Sequence, residues 1–342
     1  MKILVIGGTN FIGPPVVRRL CAMGHQVTLF HRGKTTANLP EEVNYIQGDR
    51  QNLAVYQSQF AKIAPQVVLD MIPYTEQDAK DLVNTFKGIS ERIVAISSQD
   101  VYRAYSVLLG LETEIEPIPL KEDSALRTQL YPFRDLHERP LNAPADYDKI
   151  LVERVIMGNL DLPGTVLRLP MVYGSGDPLN RLFPYIKRMD DNRPAIVLEE
   201  NIANWCGCWG YVENVAEAIA IAVTNQQAAG KIYNVAEASI VSEAQRIKNI
   251  GSIAGWHGEV VIVSKSQMPE SWNLVFNTEQ HWVSDTTCIR QELGYSEPIP
   301  QDEALKQTIN WQRNHAPQDT SKWVAPELLD YASEDAVLAA LK

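Results

Sequence analysis

The chain is poor in the features that mark secreted, metal-bound or nucleic-acid-coating proteins. Its 342 residues include only four cysteines, Cys21, Cys206, Cys208 and Cys288, too few and too scattered for a disulfide scaffold. The pair in WCGCWG is Cys-x-Cys with no second pair and no histidine nearby, which does not fit the usual zinc-ligand spacings. No apolar run approaches the roughly 18 residues of a membrane span. The opening MKILVIGG has one lysine and a short apolar run ending in glycine, the pattern of a buried first strand rather than a secretory leader. Cations are in deficit, with 31 Lys and Arg against 42 Asp and Glu, a net charge of −11. A broad nucleic-acid footprint needs clustered Lys and Arg, so nucleic acid is not expected as a partner; an anionic membrane surface is disfavoured for the same reason. There is no internal repeat and no low-complexity segment. These absences lead to the expectation of a soluble, cytoplasmic protein acting on a small molecule.

What is present is a core and an alternation. Hydrophobic residues make up 45% of the chain, enough for a sizeable buried interior. KILVIG, QVTLFHRG, VNYIQGD, QVVLDMI and RIVAISS read as strands buried on both faces. Helical stretches lie between them, among them FIGPPVVRRLCAMGH, LAVYQSQFAKI and EQDAKDLVNTFKGI. Alternation of this kind predicts an α/β fold, a doubly wound parallel sheet of Rossmann type. Residues 104–146, rich in proline and charge, read as an excursion across the mouth of the sheet. KILVERVIMGN then reads as a helix, GTVLRLPMVYG as one strand, DPLNRLFPYIKRM and VENVAEAIAIAVT as helices and KIYNVAE as a strand. Two helices, QDEALKQTINWQRNH and APELLDYASEDAVLAALK, close the chain. The predicted dinucleotide-binding domain covers 1–174, with 205–236 returning to it; 175–204 and 237–342 form a smaller, mixed substrate lobe and the C-terminal helices.

GGTNFIG lies directly between the first strand and the first helix. A glycine turn there brings backbone close to a phosphate pair, and the helix start offers free N–H groups and a positive dipole end. The candidate cradle is Gly7, Thr9, Asn10, Phe11, Ile12 and Gly13. Asn10 is expected to adopt the left-handed backbone, which Asn tolerates better than most residues. An NAD site needs an acid at the end of the second strand to hold the ribose 2′-hydroxyl. This strand ends in His31 and Arg32, and a guanidinium pairs with a 2′-phosphate. The expected cofactor is therefore NADP, with NAD the less favoured alternative.

Several motifs together resemble one family. AISSQDVYRAY, LRLPMVYGSGD, WGYVENVAEAIAIAV and IYNVAE are similar to segments of the extended short-chain dehydrogenases/reductases, the NAD(P)-dependent epimerase/dehydratase group. The loop GGTNFIG resembles their G-x-x-G-x-x-G, with Asn10 in place of the middle glycine. GGTNFIG, FHRG, GDR and YDKILVER most resemble an atypical branch that includes epimerase-like proteins and chloroplast stem-loop RNA-binding proteins. The resemblance implies that Asp49, with Arg50 beside it, contacts the adenine; Asp49 reads equally well as a helix N-cap. It implies that Ser98 polarises the substrate oxygen and that Lys149, followed four residues later by Glu153, contacts the nicotinamide ribose.

The family tyrosine stands four residues before that lysine, where this chain has Ala145. Two candidates remain. Tyr147 would face away from Lys149 if the helix begins at Asp146 or Tyr147, which is the expected start. Tyr131 can approach from the excursion and is the better placed of the two; His137 is a surrogate acid or base. Substrate contacts implied by relatives are Arg134, Asn180, Arg181 and Trp205. Gln99, where dehydratases carry an aspartic acid, disfavours a dehydratase. The expected function is an NAD(P)-dependent, epimerase/dehydratase-like oxidoreductase acting on a sugar nucleotide or other hydroxyl or carbonyl substrate by hydride transfer. The alternative is a dinucleotide-binding or RNA-associated protein of the same fold without turnover. Relatives pair through two helices, here EQDAKDLVNTFKGI and KILVERVIMGN, which implies a homodimer; the polarity of the first leaves a monomer open.

Overall fold

The computed structural model describes residues 1–135, 139, 143–269, 272, 276–318 and 326–341. The first half alternates as expected: β1 (Lys2–Ile6), α1 (Gly13–Ala22), β2 (Gln26–His31), β3 (Asn44–Gln47), α2 (Gln57–Ile63), β4 (Val67–Asp70), α3 (Glu76–Phe86) and β5 (Arg92–Ser98). α4 (Arg103–Leu108) opens the excursion and α5 (Lys149–Met157) ends it, followed by β6 (Gly164–Leu169). GTVLRLPMVYG is not one strand. Pro170, which has no N–H to give a ladder, separates β6 from β7 (Met171–Tyr173), and the two strands join different sheets. DPLNRLFPYIKRM is helical only over α6 (Phe183–Asp190), because its first half is a loop tied by the Asp177 carboxylate to the N–H groups of Leu179 and Arg181.

The remainder is β8 (Ala195–Glu199), α7 (Glu200–Asn204), β9 (Trp209–Tyr211), α8 (Val212–Thr224), β10 (Lys231–Asn234), α9 (Glu243–Ala254), β11 (Glu259–Val263), α10 (Thr287–Leu293), α11 (Gln301–Asn314) and α12 (Tyr331–Ala340). Seven parallel strands form the main sheet in the order β3-β2-β1-β4-β5-β6-β10. Alternate residues of β1 serve opposite cores: Ile3 and Val5 pack with Val17 and Leu20 of α1 and with α8, while Leu4 and Ile6 pack with Phe60, Leu82, Phe86 and Val152. Strand order reverses at β1, with β2 on one side and β4 on the other, and ligands of open α/β sheets bind at such a switch, beyond the carboxyl ends of the strands.

Two small parallel pairs, β8 with β11 and β7 with β9, lie outside the main sheet. α12 closes over the first through Val337 against Val197 and Val263. Its Glu334, fully buried, accepts from Arg188, Arg193 and the Val197 N–H. Among the described residues no helix is long and apolar enough to cross a membrane, and no group of three or more His, Cys, Asp or Glu is placed to hold a metal ion.

Candidate active site

The loop after β1 is built on close approach. Gly7 and Gly8 both have φ of 88°, and a Cβ on Gly13 would lie 2.3 Å from the Gly8 Cα, so the loop folds against the helix start as only glycine allows. Asn10 is not the left-handed residue. Phe11 is, at φ 42°, a conformation a bulky side chain adopts rarely, and its ring lies beside Gly176 in the loop after β7. The Gly13 N–H is used by the Asn10 carbonyl at 2.8 Å, and Pro14 and Pro15 have none to offer. The N–H groups of Thr9, Asn10, Phe11 and Ile12 have no partner among the described residues, and those of Phe11 and Ile12 lie nearest the helix start. Thr9 is tied at 2.6 Å to Thr35, beyond β2.

Past the ends of β2 and β3 lies a groove of about 460 Å³ lined by Arg32, Lys34, Gln47, Gly48, Asp49 and Tyr56. Two cations face it. Lys34 was not singled out from the sequence, although HRGK carries it two residues from Arg32. Asp49 caps a short 3-10 turn by accepting the Gln51 N–H, the second of its two sequence readings, and also lines the groove. Arg50 does not line the groove. It is buried and pairs with Asp70 and Asp78, because Asp70, wholly enclosed at the end of β4, needs a counter-charge. His31 packs against Tyr45 with its Nδ1 buried and without a partner among the described residues, and burial lowers its pKa. A neutral imidazole cannot neutralise a phosphate, which leaves that role to Arg32 and Lys34.

The centre of the site is where the loops after β4 and β5 meet the start of α5. The helix starts at Lys149, later than the spacing predicted. Two contacts delay it. The Asp148 N–H is taken by the Tyr74 carbonyl at 3.0 Å, and Tyr147 bridges Thr75 in antiparallel fashion, so residues 147 and 148 stay extended. Asp148 is the N-cap, its carboxylate accepting the N–H groups of Ile150 and Leu151. That carboxylate is fully enclosed and also receives Arg127 through both terminal nitrogens, at 3.2 and 3.0 Å, and the Tyr131 N–H at 2.6 Å.

The late start changes the fate of Tyr147. Four residues along a helix advance about 6.0 Å; two along an extended chain advance about 6.6 Å. A tyrosine two residues before the lysine therefore reaches about as far as the family tyrosine does four residues before it. The Tyr147 ring lies 5.8 Å from the Lys149 Nζ and its hydroxyl donates to Asp100 Oδ2 at 2.7 Å. Asp100 belongs to the turn after β5, and its N–H is held by the Ser98 Oγ at 3.2 Å. Tyr131 is placed differently: it is half-buried at φ 57°, and the Arg134 guanidinium covers its ring at 3.7 Å. The expectation that Tyr131 is the better candidate gives way to Tyr147. Ala145 sits exposed in the preceding turn.

Lys149 is buried and gives two of its three N–H groups to the carbonyls of Pro73 (2.7 Å) and Ile96 (2.9 Å), leaving one for a ribose hydroxyl. Burial pulls its pKa down to about 8, against the raising influence of Asp100 and Asp70. Tyr147 is pushed well above the usual tyrosine range, by burial first and by Asp100 next. This is opposite to the depression that a neighbouring ammonium alone would give. Asp100 itself is raised by burial and held back by Arg127 and by the Tyr147 hydroxyl.

Other predicted residues are braces. Arg181 pairs with Asp177 and donates to the Val172 carbonyl. The Asn180 amide oxygen accepts from Gln312, and the Trp205 indole donates to the Gln280 carbonyl. Relatives implied that these side chains meet substrate, but each has a partner inside the fold. Arg134 is exposed over Tyr131, and His137 lies outside the described residues. Gln99 is fully buried, bonded to the Val235 carbonyl and to Ser284. Glu153 and Arg168 form a bidentate buried pair, at 3.0 and 2.7 Å, which locks α5 onto β6.

A parallel sheet that reverses order beside a glycine loop, with Ser98, Tyr147 and Lys149 gathered at the same edge, defines a Rossmann-type fold of the short-chain dehydrogenase kind. Within it, the chain belongs to the NAD dependent epimerase/dehydratase family, whose pattern matches residues 3–119 and 132–236. It is 21% identical over 355 aligned positions to the chloroplast stem-loop binding protein of 41 kDa b of Arabidopsis thaliana, covering 99% of this chain and 84% of that protein. It is 24% identical over 243 positions to 2'-dehydrokanamycin reductase of Streptomyces kanamyceticus, covering 69% of this chain and 62% of that one. Among solved structures, UDP-glucose 4-epimerase of Thermotoga maritima superposes with a TM-score of 0.66 at 17% identity, over 93% of this chain and 100% of that one. UDP-glucuronic acid 4-epimerase of Bacillus cereus, in complex with UDP-glucuronic acid and NAD, gives 0.66 at 17% identity, over 92% and 100%.

Proposed function

We propose that the chain is an NADP-preferring oxidoreductase or epimerase-like enzyme that acts on a hydroxyl or carbonyl carbon of a polyhydroxylated substrate, a sugar nucleotide being the favoured class. The observation that carries this reading is the Tyr147 hydroxyl held at 2.7 Å from Asp100, beside Ser98 and within reach of Lys149. A carboxylate partner alone would not mark it, since Tyr185 donates to buried Glu243 away from any such cluster; what sets Tyr147 apart is that it lies beside both Ser98 and Lys149, where a proton can be exchanged with substrate. The cofactor fits the residues present: Phe11 and Ile12 offer N–H groups to the pyrophosphate, Arg32 and Lys34 flank the groove at the far ribose, and Lys149 keeps one N–H for the near one. Bound nicotinamide would supply the hydride acceptor or donor. Ser98 would orient the substrate oxygen and Tyr147 would give or take its proton. The sugar-nucleotide class draws on the UDP-sugars named with the structural neighbours.

The test is fluorescence titration with both cofactors. NADPH should bind about tenfold more tightly than NADH, about 1.4 kcal/mol, and Arg32→Ala should narrow that gap. Equal affinity, or tighter NADH, would remove the NADP assignment. Failure to bind either would favour the second reading, an RNA-associated protein without turnover, which draws on the name of the plant relative. RNA binding would then be strongly salt-dependent, whereas a charge of −11 makes it weak.

A further inference from the structure

The proton that Tyr147 exchanges must come from or go to a second group, and Lys149 is poorly placed to be that group. Two of its three N–H groups are fixed on main-chain carbonyls, and its Nζ lies over the face of the Tyr147 ring rather than against the hydroxyl. What touches the hydroxyl is Asp100. Its Oδ2 accepts from Tyr147 at 2.7 Å, while its Oδ1 is buried with no hydrogen-bond partner among the described residues. A carboxylate with one oxygen unsatisfied in a dry site is costly, and the vacant oxygen marks a group readily protonated.

Resting on the oxidoreductase reading above, we infer that Asp100 is the proton acceptor that acts through Tyr147. In the oxidising direction the substrate hydroxyl gives its proton to Tyr147 Oη as Tyr147 passes its own to Asp100 Oδ2. The two electrons leave with the carbon-bound hydrogen as hydride to the nicotinamide. The substrate becomes a carbonyl and Asp100 a neutral acid; reduction runs the same transfers backwards. Tyr147 thus never has to exist as a free phenolate, which agrees with a pKa raised rather than depressed. The groups facing Asp100 set its balance. Arg127, whose Nε is bonded to the Asp100 carbonyl, and Lys149 favour the carboxylate; burial favours the acid; Ser98 holds the Asp100 N–H, and Tyr105 packs nearby as a neutral phenol.

The test uses Asp100→Asn and Asp100→Glu in the full chain, with folding checked by NADPH affinity within about threefold of wild type. The first readout needs no substrate. NMR of isotope-labelled tyrosine Cζ, with the Tyr147 signal assigned by its loss in Tyr147→Phe, follows ionisation of that residue. Asp100→Asn should lower the Tyr147 midpoint by more than about one pH unit, because the Asp100 charge and hydrogen bond that raise it are gone and Arg127 then acts on it unopposed; an unchanged midpoint overturns the proposal. The second readout is single-turnover hydride transfer with UDP-glucose and UDP-glucuronic acid as probes. Oxidation by wild type should fall as pH drops through the Asp100 pKa. Asp100→Glu should shift that limb, and Asp100→Asn should remove it and slow transfer by about a hundredfold or more. Asp100→Asn with the wild-type rate and limb also overturns the proposal. No transfer by wild type on any probe, together with a lowered NMR midpoint, counts against the enzyme reading while supporting the Asp100–Tyr147 proton coupling.

Discussion

Replacing Asp148 by Asn should separate the local capping of α5 from the charge pairing that holds the site. Asn caps a helix about as well as Asp, so the N–H groups of Ile150 and Leu151 keep an acceptor. What is lost is the partner of Arg127, whose guanidinium is fully enclosed and donates twice to Asp148. An uncompensated buried charge of this kind costs about 3–5 kcal/mol. Unfolding entropy near 2.1 cal/mol/K per residue gives about 0.7 kcal/mol/K for 342 residues. The expected fall in Tm is therefore about 4–7 °C, read by calorimetry. Arg127→Gln/Asp148→Asn removes the stranded charge and should recover about 1–2 kcal/mol relative to Asp148→Asn alone. A loss below about 1 kcal/mol in the single variant, or strict additivity in the double, would refute the claim that the charge pair, and not only the cap, holds the start of α5 in place.

Lys149→Met should weaken NADPH binding by roughly 1.5–3 kcal/mol, the worth of a charged hydrogen bond, and wild-type affinity should fall as pH rises through about 8; flat affinity across that range would contradict the ribose role. The same group affects stability with a definite sign. Between about 8 and the ordinary 10.5 the unfolded chain holds a proton that folded Lys149 has lost, so the Lys149 contribution to stability rises with pH in that window. The wild type should gain on Lys149→Met there, and a constant difference in denaturant midpoints would count against it. Pairing through α3 and α5 would bury Gln77, Lys80, Asn84 and Arg154, all exposed; light scattering at micromolar concentration should therefore give a monomer, and a dimer mass would show that these polar faces pair after all.

The strands and most helices were legible because continuous apolar runs and 3.6-residue periodicity report burial directly. GGTNFIG was legible because its glycines sit between a strand and a helix, the one context that gives such a loop meaning. The start of α5 was not, because it depends on a carbonyl of Tyr74 and a guanidinium of Arg127, both distant in sequence. That error decided the tyrosine: counted along a helix, Tyr147 faces away, and only the extended backbone at 147 and 148 turns it toward Asp100. Arg50, Arg181 and Trp205 carry side chains that suit a ligand, yet each meets an internal partner that no local pattern reveals. Asp100 escaped notice because it lies inside a motif read for its serine and tyrosine.

The central claim, that Tyr147 replaces the family tyrosine, is tested most directly by a crystal structure of the chain with NADPH bound. The account predicts that Tyr147 Oη is the tyrosine oxygen nearest the nicotinamide C4, with the Lys149 Nζ on the adjoining ribose and the pyrophosphate on the N–H groups of Phe11 and Ile12. A nicotinamide ring nearest Tyr131, or one seated away from Ser98 and Tyr147 altogether, would contradict it.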